Sequence, residues 1–486
     1  MNPLHNIDFY KADHKSQYPE GTSKIYSNLT ARTSRVNGVN EVVWFGLQYF
    51  VVKYLIEDFE EFFKANRGFA VKKYKRRLDN ALGPDAVNVD HIEALHKLGY
   101  LPILIKALPE GTLVPLQVPM MTITNTNPEF FWLVNYLETI ASATLWGPTT
   151  SATSAFRYRQ TFERYAHLTG ANKEFIQWQG HDFSFRGMFG LEAAKLSGAG
   201  HLLSFSGTDT VPAIDMLEEY YSADTDKMLV GGSVYATEHS VMCAGGKESE
   251  EDTYTRLLTK VYPKGVVSIV SDTWDFWRVV TETLPKIKDI VMSREGKMVI
   301  RPDSGDPVKI LIGDSDAPEG SPERKGLVEC LWDVFGGTVT NRGFKTLDAH
   351  VGAIYGDSIT PERQQAILYG LLQKGFASDN VVLGIGSFTY QYVTRDTFGF
   401  AVKSTYAEVK GEAREIFKQP KTDPGKNSHK GLLTVYRDSR EKLQVKDQAT
   451  AEEEASGLLE PVFENGVMLR QENLQNIRDR INAQLS

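Results

Sequence analysis

Cysteine is almost absent from this 486-residue chain: Cys243 and Cys330 are the only two, and they have no metal-ligand spacing. That excludes a disulfide framework and fits a reducing compartment. Long apolar runs are missing as well; no stretch of ~18 apolar residues occurs, so no membrane span is expected. The start of the chain, MNPLHNIDFY, carries Asp and His where a secretory leader carries a basic and then an apolar run. A cytoplasmic location is expected. Positive charge is not in excess either. The formal net charge is −8, which argues against a generic nucleic-acid binder. Nucleotide and metal signatures are lacking too. There is no Walker P-loop, no GxGxxG opening a helix after a strand, no HExxH and no CxxC, so the usual nucleotide-fold, dehydrogenase and zinc readings lose support. The segment GIGSFT (384–389) begins like a dinucleotide fingerprint but lacks the third glycine.

What is present is ordinary globular composition, 41% hydrophobic and 24% charged. At ~150 residues per domain the length suggests two to four domains, or one large α/β unit with an appendage. Residues 42–63 and 68–82 read as helices, 101–108 and 112–126 as strands, and 127–145 and 150–168 as helices. Residues 314–326 read as an inserted loop and 451–456 as an acidic surface turn. One segment departs from the acidic balance: residues 403–446 hold 11 Lys/Arg against 6 Asp/Glu. Such a stretch suits a compact anion, or is a solvated face.

From about residue 175 short apolar runs alternate with helical patterns: FIQWQGHDF, HLLSFSGTD, GVVSIVSD, MVIRPDSG, HVGAIYGD and NVVLGIGS. This is βα repetition, which predicts a parallel sheet or barrel. Each run ends in small or acidic residues. In a βα barrel the site lies at the carboxyl ends of the strands, where small residues let backbone N–H groups approach a ligand. One such end is explained by helix capping; six in a row point to a shared polar site. Carboxylates, arginines and glycine turns together suit a sugar phosphate and Mg²⁺, since Arg binds phosphate as a fork and Mg²⁺ prefers oxygen ligands.

The motifs HDFSFRG (181–187), FSGTDTV (205–211), GGSVYATEHS (231–240), SIVSDTWDFW (268–277), IRPDSGDP (300–307), YGDSI (355–359) and TRD (394–396) resemble those of the nicotinamide phosphoribosyltransferases. DFYKADHKSQYP near the start and FKQPKTDPGKNSHKG (417–431) match too, so the resemblance spans nearly the whole chain. It implies an α/β fold: an irregular β/α barrel (148–390) with an additional α+β domain formed from the N- and C-terminal segments (1–147 with 391–486). It implies transfer of phosphoribosyl from phosphoribosyl pyrophosphate to nicotinamide, giving nicotinamide mononucleotide and pyrophosphate. Mg²⁺, ATP as coupled substrate and a homodimer with shared sites are implied as well, with neither nucleic acid nor membrane as partner.

Residue by residue, the resemblance implies that the base lies between Phe183 and Tyr10 of a second copy. Asp209 would accept a hydrogen bond from the carboxamide. An ionised carboxylate only accepts, so it pairs with an amide and repels the carboxylate of nicotinate. Ser233 and Ser271 fall in matching substrate motifs. Arg186, Arg301 and Arg395 would reach the phosphates, with the turns Gly356-Asp357 and Gly386-Ser387 near the ribose phosphate. Ser387 stands where the family has a second glycine, and would either donate to phosphate or crowd the turn. Lys403, Lys418 and Lys426 match lysines around the ATP and phosphate approach. Asp303 would stabilise the oxocarbenium character that builds at the anomeric carbon, and Asp275 would stand near the metal and pyrophosphate; both are metal candidates, directly or through water. His239 would be transiently phosphorylated by ATP, with Glu238 adjacent in sequence. Taken singly, Asp209 is also a plausible helix cap, Phe183 a core ring and His239 a structural histidine. Nicotinate phosphoribosyltransferase, with the same fold and chemistry, is the alternative, and Asp209 argues against it. A nucleotide-sensing protein without catalysis is disfavoured because the motif residues are intact. An aldolase-type barrel is disfavoured for want of a strand-end Schiff-base lysine, and a type I phosphoribosyltransferase because SIVSDTWDFW lacks its carboxylate pair.

Overall fold

The strand Thr22–Thr30, buried along most of its length, pairs antiparallel with Ala401–Val409 on one side and Pro119–Asn125 on the other. Early and late parts of the chain thus share one seven-stranded antiparallel sheet. Its order is 412–415, 401–409, 22–30, 119–125, 103–107, 460–464, 467–468. The computed structural model describes residues 2–417 and 428–485. These divide into two compact units, Met1–Thr153 with Leu217–Ala223 and Val393–Gln484, and Ser154–Met216 with Asp224–Tyr392. The first unit buries Trp44, Phe50, Tyr74 and Trp132 in its core.

Local pattern does not decide every boundary. Residues 42–63, expected to be helical throughout, begin with a strand: Glu41–Val43 pairs with Leu113–Pro115, as suits the β-branched Val42 and Val43. Helical structure starts only at Leu47, after Gly46 at φ +105. The reason lies some sixty residues on. The Glu110 carboxylate accepts from the Gly46 and Gln48 amides at 2.6 and 2.7 Å and from the Tyr221 hydroxyl at 3.0 Å. It thereby satisfies first-turn donors that no local side chain caps. The strand expected over 112–126 is two, Leu113–Pro115 and Pro119–Asn125, parted by Gln117 at φ +70. The two helices expected over 127–168 become short turns followed by one helix, Glu138–Thr169, which runs through Pro148. Residues 451–455 form a short capped helix rather than a bare turn.

Full burial pushes the Glu110 carboxyl up to about 7, against the pull of its amide donors. Between the ordinary value of 4.5 and about 7 the folded state therefore holds the extra proton. Stability that is complete at low pH is lost as pH rises through this window. The loss is on the order of 3 kcal/mol. Urea midpoints of the native protein should fall from about pH 4.5 to about 7.5, and Glu110→Gln should flatten that slope. Equal slopes in the two proteins would remove the assignment.

In the second unit seven short strands run parallel: Gly180–Asp182, Gly207–Thr208, Tyr235–Ala236, Val267–Val270, Met298–Arg301, Val351–Tyr355 and Val381–Ile385. Six of them carry the apolar runs of the sequence. Tyr235–Ala236, only two residues long, does not show in the pattern. Each strand pairs with its neighbours in chain order, and Val381–Ile385 pairs back onto Gly180–Asp182. Between Gly207–Thr208 and Tyr235–Ala236 the link is thinner. Thr208 N–H donates to Gly232 O at 2.9 Å and Gly232 N–H to Ser206 O at 2.8 Å. The architecture is thus mixed α/β, a parallel sheet in one unit and antiparallel sheets in the other.

Candidate functional site

The carboxyl ends of the parallel strands surround a cavity of about 1060 Å³. Phe183, Arg186, Asp209, His239, Arg301, Asp303, Gly356, Asp357, Gly386 and Ser387 line it. Sequence reasoning named all of these. They come from five strand ends and the helix start at 239, so the topology alone brings together residues two hundred positions apart.

Phe183 follows the strand Gly180–Asp182, and its N–H donates to Ile385 O at 3.0 Å. Gly384 leaves room for its ring, and Gly356 leaves room for Asp303. A Cβ at position 384 would fall 2.5 Å from Phe183 Cδ2, and one at 356 would fall 2.7 Å from Asp303 Oδ1. No side chain fits at 384 without moving the ring. With the stacking role that the resemblance implies for Phe183, Gly384→Ala should raise the KM for the base at least about tenfold with a smaller change in kcat, read from steady-state kinetics. An unaltered KM would show that Phe183 does not seat the base.

Asp209 closes the strand end Gly207–Thr208. Its Oδ1 lies 2.8 Å from His181 Nε2 and accepts from the Ser233 hydroxyl at 2.6 Å. Burial works to raise its pKa. The His181 and Ser233 hydrogen bonds and the Arg301 guanidinium outweigh that and hold the carboxyl below its ordinary range. The group is ionised at neutral pH, and 45% of its side chain faces the opening.

Arg301 ends its own strand. Its Nη2 donates to Thr237 O at 2.6 Å and its Nε lies 3.5 Å from Asp303 Oδ2. Burial pushes the Asp303 carboxyl up; Arg301 and His239 oppose this, while Asp272 and Asp357 add to it. Asp272 lies beneath. Its Oδ2 accepts from the Asp303 N–H at 3.1 Å and the Ser304 hydroxyl at 2.6 Å, and its Oδ1 is 3.8 Å from His239 Nε2. His239 Nδ1 faces the Thr273 hydroxyl at 3.2 Å. Asp272, not the adjacent Glu238, is the carboxylate on this imidazole; Glu238 takes the Ser240 hydroxyl instead. Ser358 sits at φ +48, a strained value for a side-chain-bearing residue, and lines the cavity after Asp357. The Ser387 hydroxyl presses on the 185–187 turn, where a Cβ on Gly187 would come within 2.0 Å of it.

Two expected residues lie elsewhere in this unit. Ser271 is fully buried; its hydroxyl donates to Ile269 O and accepts from Tyr254, both settled inside the core. It is corrected from a substrate contact to a packing residue. Asp275 is exposed outside the cavity lining and caps the helix Phe276–Arg278, its Oδ1 accepting from Arg278 N–H at 3.0 Å. Three more, Tyr10, Arg395 and Lys403, belong to the other unit. Lys403 Nζ is 3.1 Å from Glu138 Oε1, and Lys11, also paired with Glu138, stands 5.3 Å over the Tyr10 ring. Burial, Glu138 and Asp8 raise the Tyr10 hydroxyl and Arg395 lowers it. Lys418 and Lys426 lie outside the described residues. His181, Asp272 and Gly384 went unnamed in the sequence reading, although each sits at a strand end inside a quoted motif.

Residues 178–466 match the family model "Nicotinate phosphoribosyltransferase (NAPRTase) family", and residues 2–78 match "Nicotinamide phosphoribosyltransferase, N-terminal domain". A nicotinamide phosphoribosyltransferase of Acinetobacter baylyi is 53% identical over 498 residues, covering 100% of this chain and 98% of the relative. The chain belongs to the nicotinamide phosphoribosyltransferase family. A family member from Mycoplasma pneumoniae is 35% identical, covering 88% of this chain and 96% of its own. Among solved structures, nicotinate-nucleotide pyrophosphorylase from Pyrococcus furiosus shares the fold at a TM-score of 0.59 and 15% identity, over 99% of this chain and 95% of that one. Human nicotinic acid phosphoribosyltransferase does so at 0.54 and 16%, over 98% and 93%. Among the described residues no helix is long and apolar enough to cross a membrane.

Proposed function

We propose that this family member transfers phosphoribosyl from phosphoribosyl pyrophosphate to nicotinamide, releasing pyrophosphate. The observation that carries the reading is an ionised Asp209 at the cavity opening, with Phe183 close to its partner His181. The base stacks on Phe183 and gives its amide N–H to Asp209. The acid form would meet like charge there, which is why the nicotinate alternative ranks second. The seven parallel strands act as an irregular β/α barrel; the bridge at Gly207 and Gly232 supports closure.

As the ring nitrogen attacks the anomeric carbon, positive charge builds on the ribose and negative charge on the leaving pyrophosphate. Asp303 faces the first, and Arg186 and Arg301 face the second. The turns at Gly356-Asp357 and Gly386-Ser387 receive the ribose phosphate, where the Ser387 hydroxyl adds a donor. Mg²⁺ belongs to the same reading. Among the described residues no group of three or more His, Cys, Asp or Glu side chains could hold a metal alone. Mg²⁺ is held by one or two carboxylates plus substrate phosphate oxygens, and the donor set fits that habit: Asp303 lines the wall and the buried Oδ1 of Asp272 has no hydrogen-bond partner. Asp303 and Asp272 would hold the ion, Asp275 being turned to its helix. When bound, it supplies charge neutralisation on the pyrophosphate. ATP serves as coupled substrate: His239, 48% exposed in the cavity, attacks its terminal phosphoryl group, the bond to ADP breaks and ADP leaves, and water later hydrolyses the phosphohistidine to inorganic phosphate; Asp272 stabilises the charge on the ring. A homodimer completes the reading, with Tyr10 of a second copy as the other stacking ring. The 61% exposure of Tyr10 supports this, as does the exposure of Phe388 and Tyr392 at the cavity.

Product analysis by mass tests the proposal. Purified protein, Mg²⁺ and phosphoribosyl pyrophosphate are mixed with nicotinamide or nicotinic acid, with and without ATP. Nicotinamide mononucleotide and pyrophosphate are expected, faster with ATP. Product from nicotinic acid alone, or from neither base, would overturn it.

A further inference from the structure

Asp209 receives both of its side-chain hydrogen bonds on one oxygen. His181 Nε2 and the Ser233 hydroxyl engage Oδ1, and among the described residues no donor engages Oδ2. His181 is only 7% exposed. Its imidazole is fixed on two further sides. It stands 4.6 Å from the Phe183 ring at a tilt of 43°. It also lies so close to Gly207 that a Cβ there would fall 2.7 Å from Nδ1. One side chain therefore touches both the ring that would stack on the base and the carboxylate that would read its amide. Donation to Asp209 requires the proton on Nε2. The charged and titratable groups around this imidazole are Asp209 across the bond, Asp182 next in the chain, Arg301 beyond Asp209, and His201, whose burial lowers its pKa to about 4 and keeps it neutral.

We infer that His181 is a positioning residue for base selection: its Nε2–H engages Oδ1 and turns Asp209 so that Oδ2 alone meets the base. The inference deepens the nicotinamide reading above and rests on it.

The test compares kcat/KM for nicotinamide and for nicotinic acid in the native enzyme, His181→Gln and His181→Leu. Glutamine keeps an N–H donor, so its amide-to-acid ratio should stay within about threefold of the native value. Leucine removes the donor; its ratio should drop about tenfold or more, through the KM for nicotinamide rather than kcat. Should the leucine variant not fold, His181→Met, likewise without a donor, takes its place. An unchanged ratio in a folded variant without the donor, or a glutamine variant whose ratio falls as far as that variant's, would overturn the role of His181. A native enzyme that made no nicotinamide mononucleotide would instead overturn the underlying reading, so the two failures are distinct.

Discussion

Asp209→Ser should collapse the preference for nicotinamide over nicotinic acid by about 100-fold, read as the ratio of the two kcat/KM values, since like-charge juxtaposition costs several kcal/mol. Two changes act together. Nicotinamide loses a charge-assisted acceptor, and nicotinate is freed from the carboxylate that repelled it. The first lowers one rate and the second raises the other. Folding should be little disturbed, because Asp209 is 45% exposed and its backbone N–H still donates to Asp182 O at 2.9 Å. A ratio that stayed within threefold of the native value would sink the assignment of Asp209, whatever happened to the absolute rates.

The second large effect is expected at Asp303. Asp303→Asn keeps the size of the side chain, and its N–H still donates to Asp272. On the proposed reading it removes the negative charge that faces the ribose and one of the two carboxylates that would hold Mg²⁺. Stabilisation present mainly in the transition state shows in kcat, and loss of one such group costs about 100- to 1000-fold. The KM for nicotinamide should change little. The Arg301 guanidinium, 3.5 Å away, would lose its ion partner while keeping Thr237 O, so pyrophosphate contact should survive. A normal kcat in this variant would show that charge on the ribose is stabilised elsewhere.

Much of this site was legible before any coordinates, for a topological reason. Parallel strands deliver their carboxyl ends to one face, so runs ending in Gly-Thr-Asp or Arg-Pro-Asp name wall residues directly. Motif resemblance then suggests roles for Phe183, His239 and Asp303, all of which line the cavity. What stayed hidden was decided over distances of one to three residues, or of sixty. In SIVSDTWDFW the two aspartates look alike. One ends the strand under His239, and the other sits three residues before Arg278 and caps the next helix. Ser271, one position from Asp272 and just past the strand end, turns inward to Tyr254 and Ile269 O. The helix start at Leu47 depends on Glu110, which no local pattern announces. Glu138, the hub for Lys11 and Lys403, likewise carries no mark in the sequence of its role.

The stitch between Thr208 and Gly232 has a consequence for how such a protein changes over time. Elsewhere around the parallel sheet, pairings hold from two residues in register, as between Gly180–Asp182 and Gly207–Thr208, to four, between Met298–Arg301 and Val267–Val270. At the stitch, two backbone bonds suffice, and they set Ser233 beside Asp209. If Asp209 and Ser233 choose between amide and acid as proposed, that choice is mounted where the ladder is thinnest. Substitutions near 229–233 would then shift base preference while Arg301, on the four-residue pairing of Met298–Arg301 with Val267–Val270, keeps its register, and the two properties could drift apart independently.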